Sequence, residues 1–160
     1  MIEIKIKEIK QICGITEDKK DAVLTSKLPI VNQLIEDITI KRIYNQVVRK
    51  SARPIVINAF KSAFAYFVYF HAIDFLDETK RVGFDTSKDT LSHDEIERRR
   101  WHLELFGYSV IKDYLNEDGK KRYIELKNWD DLRRANDPRA KDIIMQEMAP
   151  NKPRLRVAIV

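Results

Sequence analysis

Cysteine occurs once in this 160-residue chain, at Cys13. That excludes an intrachain disulfide and leaves no companion for a thiolate metal site, and it suits a reducing compartment. The residue is expected to act as a small buried hydrophobe. Glycine and proline are scarce, at four and five residues, which excludes a collagen-like or low-complexity chain. No uninterrupted apolar run reaches the roughly 18 residues of a membrane span. The opening MIEIKIKEIK alternates charge with isoleucine and lacks the apolar centre of a signal peptide, so no export is expected. No glycine-rich phosphate loop, dinucleotide fingerprint or zinc-ligand spacing is present, and no cofactor is expected.

What remains is a chain of 44% hydrophobic and 34% charged residues, the composition of a folded, helix-rich protein. The expected fold class is mainly α, an antiparallel helical bundle around one central apolar helix. Residues 1–119 are expected to form the bundle, and 120–160 a C-terminal arm with a short strand, a short helix and a terminal β-strand. Lys and Arg against Asp and Glu leave +3 over residues 1–50, −3 over 51–119 and +5 over 120–160. The arm is thus suited to an acidic partner, either nucleic acid or protein.

The isoleucines at 2, 4, 6, 9 and 12 pass from period two to period three, so an extended start runs into a short helix that Gly14 would close with a left-handed cap. Thr16 reads as the N-cap of a second helix over 17–38, with Leu24, Leu28, Val31, Ile35 and Ile38 on one face and a kink at Pro29. Residues 39–50 fit either strand or short helix. Pro54 suits the first position of the central helix, 54–78, the most apolar stretch of the chain. On it Ile57, Phe60, Phe64, Phe67, His71 and Phe75 share one face; Ile55, Ala59, Ala63, Tyr66, Phe70, Ile73 and Asp74 supply much of another. A helix apolar nearly all round must be covered nearly all round, by its own chain or by a neighbouring subunit. Ser92 and Glu95 form a capping-box pattern for a further helix over 93–115, with Ile96, Leu103, Phe106, Val110 and Tyr114 on one stripe and Asn116–Gly119 as its stop. Beyond it come a possible strand RYIEL (122–126), an amphipathic WDDLRRA, a helix near 138–148, and the alternating tail RLRVAIV.

Chemistry is thinly represented. His71 lies among aromatics and reads as a neutral core imidazole. His93 and Glu97 stand one turn apart without a third ligand, His102 points elsewhere, and Asp74 with Asp77 resembles an ordinary helix terminus. Arg98, Arg99 and Arg100 are consecutive, so on a helix they fan around the axis and cannot all reach one ligand. They suit a solvated face or intersubunit ion pairs, or else DNA contact. The tail Arg154, Leu155, Arg156, Val157, Ala158, Ile159 and Val160 has strand periodicity, and it suits pairing either within the chain or with the sheet of a partner.

The order of elements, a short helix ending at CGI, then ITEDKKDAVLTSKLPIVNQLIEDI, ARPIVINAFKSAFAYFVYFHAI, a loop with RVGF and SHDEIERRRWHLELFGYSVIKDYL, resembles the head-to-tail connector adaptors of tailed bacteriophages over about residues 5–116. The resemblance implies a structural virion protein at the head-tail junction, assembled in the host cytoplasm and without catalytic activity. It implies a homo-oligomeric ring, usually a dodecamer, that binds under the portal protein. Such a ring extends the channel for DNA without sequence-specific contact, and offers a platform to a tail or stopper protein; no membrane is involved. It also places portal contact on the arm, at Arg154–Val160 and at Ile143, Ile144 and Met148. The alternative is a nucleic-acid-binding helical module using Arg98–Arg100 and the basic C-terminus.

Overall fold

Among the residues that the computed structural model describes, 1–15, 21–81 and 93–136, with side chains over 1–15, 21–75 and 96–133, the regular elements are all helical. They are α1 (Ile6–Cys13), α2 (Asp21–Ile38), α3 (Lys41–Val48), α4 (Pro54–Arg81), α5 (His93–Val110), a 3-10 turn (Lys112–Tyr114) and α6 (Glu117–Asn136). The chain divides into two compact units, Met1–Leu126 and Lys127–Val160.

Local chemistry accounts for most of the ends. The Glu8 carboxylate accepts the Lys5 backbone N–H at 2.9 Å and so closes the start of α1. Gly14 ends α1 at φ 68°, the left-handed conformation expected of it. Pro54 opens α4, where the Arg53 carbonyl accepts the N–H groups of Val56 and Ile57. Pro29 lies inside α2, and the β-branched, basic stretch after Thr39 is helical, with Tyr44 and Val47 facing the core. Thr16 and the capping-box Ser92 lie outside the described residues, as do the side chain of Glu95, the helix expected near 138–148 and the tail.

Helix α4 is the core. Phe60, Phe64 and Phe67 of one face and Ala63 and Ile73 of the other are buried, as are Ala65, Val68 and Ala72 between them, whereas Ile55 and Phe75, near the two ends of that stretch, stand exposed. Its first 22 residues are apolar and long enough to cross a membrane by length and composition alone, but helices α1, α2 and α5 pack against them. Helix α5 runs antiparallel to α4: Phe60 meets Tyr114, Phe67 meets Tyr108 edge-on at 5.3 Å, and Asp74 meets Arg100. Burial of such aromatic side chains contributes on the order of 2 to 3 kcal/mol each.

Three expectations are corrected. The helix expected over 93–115 ends at Val110, because the chain tightens into the 3-10 turn and forms an isolated antiparallel bridge between Thr39 and Leu115. There the Ile40 N–H donates to the Tyr114 carbonyl at 2.9 Å, and the Asn116 N–H to the Ile38 carbonyl at 3.0 Å. Asn116 is consequently a start and not a stop: its Oδ1 accepts the Gly119 N–H at 2.9 Å at the head of α6. The strand read at 122–126 is part of α6. Only Ile124 in that stretch is β-branched, and Glu117–Lys120 and Arg122–Glu125 are paired at helical spacing. WDDLRRA continues the same helix.

Candidate functional site

The described surface offers faces for contact more than a cleft for chemistry. Arg100 turns inward, its guanidinium 3.1 Å from the Asp74 carboxylate and 5.1 Å from the Phe70 ring centre. Arg98 and Arg99 are exposed and make no ion pair among the described residues. The fan anticipated for three consecutive helical arginines thus separates one intrachain tie from two outward cations. Outward on the same helix stand Phe106, 50% exposed, and Val110, 38% exposed. Phe106 is braced by Tyr66 at 5.9 Å and by the stacked imidazole of His102 at 6.1 Å. The candidate portal contacts Ile143, Ile144, Met148 and Arg154–Val160 lie outside the described residues.

A second face lies on α2, where Ile30 is 56% exposed. Asp37, two turns further along, is exposed, and its carboxylate accepts the Gln33 amide at 2.8 Å and has no ion-pair partner among the described residues. A third is a basic end. Lys41, Arg42, Arg49, Lys50 and Arg53 are all exposed, and only Lys50 has a carboxylate partner, Glu3, among the described residues. Singling out Arg98–Arg100 overlooked this cluster. Its signal was the absence of any Asp or Glu between Asp37 and Asp74.

A cavity of about 700 Å³ lies between the N-terminal segment, α2 and α4, lined by Ile2, Ile4, Leu28 and Phe64, with the Glu8–Lys61 pair beside it. Asn32 holds the segment against the bundle, its Oδ1 accepting the Ile2 N–H and the Tyr44 hydroxyl, each at 3.1 Å. The Lys5 backbone N–H and the Lys61 ammonium keep the Glu8 carboxyl below its ordinary pKa. The Glu8–Lys61 pair is a structural tie between α1 and α4.

The remaining polar candidates are core elements. The Cys13 thiol donates to the Ala65 carbonyl at 3.4 Å, and burial pushes it up to about 12, far from the thiolate a nucleophile needs. His71 is half-buried against Phe70. Burial, then the nearby Arg100 and Lys27 charges, lowers its pKa, which favours the neutral ring expected for it. The unfolded chain therefore binds the proton more readily than the folded one. Stability is full above the unfolded value of about 6.5 and falls as pH drops through the folded pKa. Thermal melts between pH 7.5 and 5 should show a loss in wild type that His71→Gln lacks; parallel curves would refute this. Asp74 is committed to Arg100, and the side chains of Asp77 and His93 lie outside the described set. No group of three or more metal-ligating side chains occurs among the described residues.

No curated protein and no solved structure matches the chain. Residues 3–67, from the N-terminal segment through α1, α2 and α3 into the first half of α4, match the family described as phage gp6-like head-tail connector protein, which is the resemblance read in the sequence and supports a structural connector role.

Proposed function

We propose that the chain is the subunit of a ring-forming head-to-tail adaptor, a structural component of a phage virion and not an enzyme. The observation that carries this reading is the family match over residues 3–67. The distribution of surface groups supports it: large apolar side chains stand exposed on several helices, as expected where neighbouring subunits supply the missing cover. In this reading about twelve copies sit under the portal and extend the DNA channel without sequence-specific contact. They present a platform to a tail or stopper protein. Residues 120–160 form the arm that reaches the portal, through Ile143, Ile144, Met148 and Arg154–Val160. The basic end at α3 faces phosphates or an acidic partner.

Native mass measurement and negative-stain imaging, with and without the portal protein of the same virus, test the proposal. Closed rings, or a portal-bound ring, are expected. A chain that stays monomeric and ignores the portal would sink the idea.

The basic end also favours a second reading, a nucleic-acid-binding module. Duplex DNA affinity that falls steeply with salt and disappears when Lys41, Arg42, Arg49 and Arg53 are neutralised, in a chain that never assembles, would favour it.

A further inference from the structure

Resting on the ring reading, we infer that the contact between subunits is head-to-tail, with the outer face of α5 on one copy docked antiparallel on the outer face of α2 on the next. Helices α2 and α5 both pack on α4. They bury Leu24, Val31 and Ile35 on one side and Tyr108 on the other, so their outer faces are distinct surfaces of one chain. Two distinct complementary patches generate a heterologous contact, the kind that closes into a ring.

Spacing and charge make the two faces complementary. On α2, Ile30 is exposed and Asp37 follows it by seven residues; on α5, Phe106 is exposed and Arg99 precedes it by seven. Seven residues are two helical turns, about 10 Å along the axis, and return to nearly the same face. In antiparallel register Phe106 meets Ile30 while Arg99 meets Asp37. Four residues to the other side, Val110 then falls opposite Ser26, whose short side chain leaves it room. The register pairs the largest exposed apolar group of each face and joins a cation to a carboxylate, neither of which has an ion-pair partner among the described residues. Desolvated at such a contact, the charges fix orientation and register while the apolar pair supplies adhesion.

Complementation between full-length variants tests this. Phe106→Asp spoils the α5 face and Ile30→Asp the α2 face. Both side chains are exposed, so thermal melts should stay close to wild type. Each variant alone should be monomeric under conditions where wild type forms rings, because every contact needs one face of each kind. Mixed in equal amounts they should form a one-to-one dimer that grows no further, joined by the one intact pair. As a second arm, Arg99→Asp and Asp37→Arg should each weaken assembly at least tenfold, and their combination in one chain should restore most of it.

Rings that persist in Phe106→Asp and Ile30→Asp would overturn the interface and leave the ring reading standing. A mixture that stays monomeric, or Ile30→Asp chains that assemble while Phe106→Asp chains do not, would also overturn it. A wild-type chain that is monomeric with and without portal protein overturns both.

Discussion

Replacing Gly119 by alanine should destabilise the protein by about 3 kcal/mol, at the upper end of overpacking costs, although alanine is the better helix former by roughly 1 kcal/mol. Tertiary structure decides the sign. A Cβ at Gly119 would stand 2.3 Å from the Ile38 carbonyl oxygen and 3.1 Å from Leu115 Cδ2. The first is backbone and cannot turn aside as a side chain would. That same carbonyl accepts the Asn116 N–H at 3.0 Å, and the Asn116 amide donates to the Asp37 carbonyl at 2.6 Å. Moving α6 outward to relieve the clash therefore loosens the clamp between the α2–α3 and α5–α6 junctions. For a chain of this size the loss corresponds to a fall in Tm of about 8 °C. A calorimetric melt that is unchanged or raised would contradict the close approach.

The second large effect is expected at Gly107, also inside a helix. A Cβ there would lie 2.8 Å from two ring carbons of Phe67. That ring is 1% exposed and fixed edge-on against Tyr108, so it has little room to swing. Gly107→Ala should cost about 2 kcal/mol net of helix propensity. Unlike the Gly119 clash, this one is with a side chain and can be relieved. Phe67→Leu, costing about 1 kcal/mol alone, should remove the clash, leaving the double variant more stable than the sum of the two losses by at least about 1 kcal/mol. Strict additivity in urea unfolding would show that the two residues do not meet.

These glycines mark the limit of what periodicity reveals. The four-three spacing of Leu24, Leu28, Val31, Ile35 and Ile38 made α2 legible, and Pro54 with the apolar run behind it marked α4, because amphipathic spacing and proline geometry act locally. Gly14 was legible for the same reason. The end of α5 was not. Residues Ile111 to Leu115 continue an apolar helical pattern, and only the pairing of Leu115 with Thr39, 76 positions away, turns the chain there. The stretch 122–126 read as strand because aromatic and β-branched residues are adjacent in it; Asn116, read as a stop, is the cap that commits it to α6.

The candidate faces were legible in part. That Arg98, Arg99 and Arg100 could not share one ligand follows from 100° per residue, but which of them turns inward was decided by Asp74 and Phe70 on another helix. Ile30 already stood off the apolar stripe of α2, but the exposure of Phe106 and Val110 was invisible in a sequence that put both on the apolar stripe of the following long helix.

The sequence by itself determined a helical chain, the apolar identity of its central helix, the absence of cofactor motifs and the resemblance to head-to-tail connectors. All of these rest on local periodicity, residue type and the order of elements. Tertiary structure alone decided how much of α4 one chain covers, where α5 gives way to α6, which glycines admit no side chain, and which apolar and charged groups remain outside. Each of those depends on the distance between residues far apart in the chain, which no local pattern encodes.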